Sequence, residues 1–175
     1  MTFATDFMVD VAPLSLDRGW SGLYDSFMNL MPEDPRSATA TSEEVCMFAF
    51  LKAATAVETR LERAVETAGL SLPKYGVLSH LAEAGEPLPL SELAGRLCCV
   101  RSNMTQLMDR LEAEGLVQRL DDPSDRRIVR AALTPLGAER QAAGERELEK
   151  VQAEFHASLS SADRAVLDRV LAAIA

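Results

Sequence analysis

LPLSELAGRLCCVRSNMTQLMDRLEAEGLVQRLDDPSDRRIVRAALTPLG, residues Leu88–Gly137, decides the fold. Ser91–Leu97 reads as a short helix with Leu93, Ala94 and Leu97 turned inward, and Cys98-Cys99-Val100-Arg101 as a tight turn. A second helix follows. Its Met104, Leu107, Met108 and Leu111 recur at i, i+3, i+4 and i+7, the spacing of one buried stripe. Gly115 ends it, with Leu116 placed for the hydrophobic contact that accompanies a glycine cap. Leu116–Leu120 and Ile128–Thr134 read as two strands joined by turn-forming residues, Asp121 to Arg127. Helix, turn, helix and arginine-tipped hairpin make a winged helix-turn-helix, a module that presents one helix to a DNA groove.

Outward from this head, the chain reads as mainly α with a small β-hairpin wing. Residues 1–40 form an N-terminal arm: a loose start, an amphipathic helix with Leu16, Trp20, Leu23, Phe27 and Leu30 on one stripe, and a proline-bearing linker. A long helix is expected from about Ser42 to Ala68, opened by the capping-box pair Thr41 and Glu44 and stopped at Gly69. Pro73 opens a helix to Ala84, and Leu88-Pro89-Leu90 is a short extended piece. Thr134-Pro135 is an N-cap followed by proline at the first helical position, for a helix to about Leu159 with Leu148, Val151 and Phe155 on one stripe. Ser160 with Asp163 caps a last helix whose Val166, Leu167, Val170, Leu171 and Ile174 form a wide apolar face. The last helix and the long one carry more apolar surface than one small module covers. Residues 41–70 and 135–175 are therefore read as a helical dimerisation region, and 71–134 as the head. A two-fold homodimer needs only one self-complementary patch; packing of the two helices on each other within one chain is the alternative.

The 175 residues are 47% apolar, enough for a soluble globular core, and carry a net charge of −9. A nucleic-acid binder is usually basic. From Ser91 to Arg130, however, seven arginines balance seven acids, so the whole deficit lies outside this segment. Such a protein is expected to read DNA with weak non-specific affinity, since that affinity rests on phosphate neutralisation. The three cysteines make no disulfide framework, consistent with a reducing cytoplasm. The start of the chain lacks a basic n-region, the longest apolar run (Val45–Leu51) is too short to span a bilayer, and no paired metal spacing or cofactor motif is present. No catalytic constellation is expected: Gly19-Trp20-Ser21-Gly22 imitates a nucleophile elbow, but Leu23 stands where glycine is needed.

Opposite the methionine stripe, the second helix presents Ser102, Asn103, Thr105, Gln106 and Arg110. Asn and Gln can pair with adenine and Thr can touch a thymine methyl; a plain solvated face is the bland reading. Arg126 and Arg127 at the wing tip suit a narrow minor groove, or pair with Asp122 or Asp125 in a solvated turn.

SELAGRL, MTQLMDRLEAEGLVQR and DRRIVRAALTPLG, with Asp125-x-Arg127 followed by Leu133-Thr134, resemble the MarR family of bacterial regulators. The resemblance covers about Ser42 to Ala175. It implies a homodimer on a pseudo-palindromic double-stranded operator and a repressor released by a small, possibly aromatic effector. By position, Ser102, Asn103, Thr105 and Gln106 would face the major groove. Arg101 and Arg110 would clamp phosphates, and Arg126 and Arg127 would serve a wing oriented by Asp125. Met47, Phe48, Phe50, Tyr75 and His80 are candidates to line a pocket between dimer region and head, against their plain role as core. Trp20 is similar to a tryptophan in the extra N-terminal helix of the urate-responsive branch, which places an acid where Gly76 follows Tyr75. A thiol trigger is a second route. Cys46 is similar to the sensing cysteine of the organic-peroxide branch, displaced by one, with Leu61 and Leu72 where that branch has tyrosines; oxidation of Cys98 beside the reading helix would disturb docking. A protein-interaction module on the same fold, without DNA binding, is the rival from another class.

Overall fold

A computed structural model describes residues 42–97, 101–125 and 127–174. The N-terminal arm, Trp20, the Thr41 cap and the Cys98-Cys99-Val100 turn lie outside the described residues.

Six helices and three short strands follow in the order α1 (Ser42–Glu66), α2 (Leu72–Ala84), β1 (Leu88–Pro89), α3 (Leu90–Arg96), α4 (Arg101–Ala113), β2 (Val117–Asp121), β3 (Val129–Leu133), α5 (Pro135–Ser158) and α6 (Ser161–Ile174). The punctuation follows the residues. Gly69, Gly85 and Gly115 adopt positive φ at three helix exits. Beyond α4, Leu116 N–H returns to Leu111 C=O at 2.9 Å, the bond a left-handed glycine permits. Thr134 caps α5, its hydroxyl accepting Gly137 N–H at 3.0 Å. Ser160 caps α6 by accepting Asp163 N–H at 3.1 Å, while its own hydroxyl donates to the Asp163 carboxylate at 2.6 Å. Ser71 gives α2 no side-chain cap. Glu62 of α1 supplies one across space, accepting Leu72 N–H at 2.9 Å.

The expected two-stranded hairpin is a three-stranded antiparallel sheet in the order β1-β3-β2. Leu88 pairs with Ala131 and Pro89 with Arg130. Proline is tolerated there because β1 is an edge strand. Leu88 is buried, which gives the added strand its energetic reason.

One apolar core fills the head. Val65 from the end of α1, Ala68 and Leu70 from the turn after it, Val77, Leu78 and Leu81 from α2, Leu93 from α3, and Met104, Met108 and Leu111 from α4 meet Leu88, Val117 and Ala131 of the sheet and Leu116 just before it. The methionine stripe of α4 is thus buried as its spacing predicts, with Leu107 packed at its margin.

Away from the head, α1 packs along α5, with Arg60 paired to Glu154 at 2.8 Å. No residue of α6 is buried, and Val166, Val170 and Ile174 are 48%, 43% and 63% exposed. Packing of α6 on α1 within one chain therefore does not account for its apolar face. Among the described residues, no helix is long and apolar enough to cross a membrane.

Candidate nucleic-acid interface

Burial of Met104, Met108 and Leu111 fixes the rotation of α4 about its axis. Ser102, Thr105, Gln106 and Arg110 are consequently exposed, as the helical spacing predicts, whereas Asn103, expected on the same face, is half-buried. The Arg101 side chain lies outside the described residues. Among the described residues Arg110 forms no ion pair, so its charge faces solvent.

Helix α4 also carries two acids toward its C-terminal end, and both are engaged by one residue of β2. Arg119 donates to Asp109 Oδ1 and Glu112 Oε2, each at 2.5 Å, and its backbone N–H reaches Glu112 Oε1 at 3.2 Å. A guanidinium suits this because its planar fork can serve two carboxylates at once. Sequence spacing could not reveal it: the partners lie seven and ten residues away, across the α4–β2 turn.

The wing is organised by a carboxylate. Asp122, in the sequence one alternative partner for Arg126 or Arg127 in a solvated turn, is buried and pairs with Arg130, Nε to Oδ2 at 2.5 Å. Its Oδ1 accepts the Ser124 hydroxyl at 2.5 Å, Ser124 N–H at 2.8 Å and Asp125 N–H at 3.2 Å. Arg130 Nη1 also donates to the Pro87 carbonyl at 3.0 Å, tying the wing loop to the segment that opens β1. Asp122-Pro123-Ser124 carries the pattern of an Asx turn, the one signal that could have found this role. Asp125 accepts Arg127 N–H at 2.9 Å, so it holds the backbone at the tip and leaves the exposed Arg127 side chain outside any ion pair among the described residues. Arg126 lies outside them.

The Ser124 hydroxyl first, then Arg130 and the Ser124 N–H, hold the Asp122 carboxyl well below the usual carboxylate range, against the opposing effect of burial. Because this pKa is depressed on folding, its stabilisation is complete above the ordinary aspartate value. It is lost as pH falls through that value toward the folded one. Asp122→Asn is therefore expected to flatten the acid limb of thermal stability below about pH 4. Melting temperatures of the two proteins across that range check this; parallel limbs would contradict it.

Wing and reading helix flank an open cleft of about 260 Å3 lined by Leu90, Ser91, Met104, Thr105, Arg127, Ile128 and Val129. This is not the expected pocket, whose residues do not meet within one chain. Phe50 precedes Val65, the start of the core, by fifteen residues, roughly 22 Å along a helix. Met47 and Phe48 lie further out, with Met47 54% exposed. Tyr75 packs against α5, where a Cβ on Gly144 would come within 3.1 Å of its ring. His80 lies on another side of α2, 3.8 Å from Glu83, with a buried Nδ1 lacking a hydrogen-bond partner. Burial, then the charge of Arg96, lowers the His80 pKa against the pull of Glu83. Cys46 lies early in α1, with its side chain outside the described residues, as is Cys98. No group of three or more metal-ligating side chains occurs among the described residues.

Residues 70–129 match the MarR family model. An HTH-type transcriptional regulator of Bacillus subtilis, YsmB, is 40% identical over 65 residues, 37% of this chain and 44% of that one. The chain spans about half the length of the curated relatives it matches. Among solved structures, AbsC, a MarR family transcriptional regulator from Streptomyces coelicolor, is 28% identical over 77% of this chain and 93% of its own, with a TM-score of 0.66. A mutant MarR from E. coli complexed with operator DNA shares the fold at 21% identity and a TM-score of 0.63, covering 72% of this chain and 90% of that one.

Proposed function

We infer that this chain, a member of the MarR family through the head that residues 70–129 form, is a transcriptional regulator that binds duplex DNA as a homodimer. The observation that carries this is the continuity of α4 with the wing. Thr105 of the polar face and Arg127 of the wing line one cleft, so both elements can address the same stretch of duplex. Ser102, Asn103, Thr105 and Gln106 read base edges in the major groove, Arg101 and Arg110 hold phosphates, and Arg126 and Arg127 enter the minor groove. That the E. coli relative sharing this fold was solved in complex with operator DNA supports a DNA-binding use of the head. The exposed apolar face of α6 supports self-association, and two heads on a two-fold axis call for half-sites about 10 base pairs apart.

Repression is relieved by a small ligand. The cleft between α4 and the wing supports this, combining apolar side chains of Leu90, Met104, Ile128 and Val129 with the polar Ser91 and Thr105 and the cationic Arg127. It suits a compact, mainly apolar acid, whose binding would compete with the groove for Arg127 and Thr105. Selection of duplexes from a randomised pool tests the reading. Enrichment of inverted half-sites about one helical turn apart is expected; recovery of no preferred duplex would leave the fold as a protein-interaction module.

A further inference from the structure

The α4 acids pose a problem for any DNA-facing use of this helix. Asp109 stands three, four and seven residues after Gln106, Thr105 and Ser102, so it continues the polar stripe. Its side chain is 61% exposed and that of Glu112 is 41% exposed, so neither charge is removed by burial. A bare carboxylate at the end of a reading face repels the adjacent phosphate backbone, since like charges brought together across an interface oppose association.

We propose that Arg119 is a positioning residue for duplex binding. From β2 it holds Asp109 and Glu112 together, cancels part of their charge and turns them away from the phosphates. The proposal rests on the DNA-binding reading above. Arg119 itself is only 26% exposed and donates to both carboxylates and to the Thr105 carbonyl, so its own charge is already engaged rather than offered to DNA. The Glu112 carboxylate takes both the guanidinium and the Arg119 backbone N–H, which fixes α4 against the root of the wing. With Arg119 in place the acids sum to one net negative charge, which Arg110 on the same helix balances. The polar face is thereby left electrically neutral, and Arg101 and the wing arginines remain to supply net attraction.

The test measures one substitution in two backgrounds, using a duplex recovered by the wild-type protein from a randomised pool. Arg119→Met is expected to weaken binding ~10-fold or more in the wild-type background. In a protein already carrying Asp109→Asn and Glu112→Gln, the same change is expected to cost less than ~3-fold, because no acid remains to be compensated. An equal penalty in both backgrounds would overturn the proposal, assigning Arg119 to direct phosphate contact or to general support of the fold. No penalty in either would overturn it as well. Should Arg119→Met fail to fold alone, as judged by circular dichroism, Arg119→Lys replaces it. Lysine lacks the fork, so an intermediate loss that vanishes in the neutral background is expected, with equal losses again overturning the idea. Failure of the wild-type protein to select any duplex would sink the DNA-binding reading and this proposal together.

Discussion

Replacing Arg126 and Arg127 with alanine in both chains of the dimer is expected to weaken binding to a selected duplex by ~100- to 1000-fold. Four cationic contacts are lost per dimer, and at about 1 kcal/mol each this amounts to ~3–4 kcal/mol, with a tenfold change for every ~1.4 kcal/mol. Among the described residues, the fold draws on no ion pair of the Arg127 side chain. The wing is closed by β2–β3 pairing and by the Asp122–Arg130 network, and Arg127 contributes only its backbone N–H to Asp125. The melting temperature and the dimer mass should accordingly stay unchanged. Alanine at both positions with full duplex affinity would remove the wing from DNA recognition. Loss of affinity together with loss of the dimer would show that the wing supports assembly instead.

The largest effect on stability is expected at Gly137. A Cβ there would stand 2.0 Å from the Leu116 carbonyl oxygen and 3.0 Å from its carbon, both backbone atoms that no rotamer change can move. The close approach is part of a joint. Thr134 donates its hydroxyl to the Gly115 and Leu116 carbonyls, at 2.7 and 3.0 Å, while accepting Gly137 N–H, so the start of α5 is pinned to the start of β2. Gly137→Ala must pry this joint apart and is expected to cost ~3 kcal/mol or more, the upper end for overpacking. Gly95→Ala is the control. No atom lies within 4 Å of a Cβ there, and alanine in a helix should gain about 0.5–1 kcal/mol. Chemical unfolding of the two variants checks the pair. Equal stabilities would contradict the geometry.

The parts of the fold that were legible in the sequence are those set by local rules. The stripe of Met104, Met108 and Leu111 follows helical period, Gly85 and Gly115 stop helices by positive φ, and Thr134-Pro135 starts one by capping. Strand β1 was read only as an extended piece. Two residues, one of them proline, carry no strand signal, and Leu88 pairs with Ala131 only because the core buries it there. The polar face of α4 was legible because burial of one side of a helix exposes the other. Its electrostatic completion was not, since Arg119 reaches its acids across a turn. Asp122 was hidden for a different reason: in a loop of polar residues its Asx-turn pattern marks a local turn, and does not tell that the carboxylate turns inward to Arg130. The residues expected to line a pocket are not brought together within one chain. Met47, Phe48 and Phe50 are apolar and near Tyr75 in number, yet an extended helix carries them away from it.

The most direct test of the central claim is the salt dependence of duplex binding. If Arg101 and Arg110 of each chain hold phosphates, log K should fall linearly with log salt concentration, with a slope of about −4 for the dimer, steeper where the wing arginines also displace counterions. A slope near zero, or no duplex binding at low ionic strength, would contradict the assignment of the α4 face and the wing to DNA.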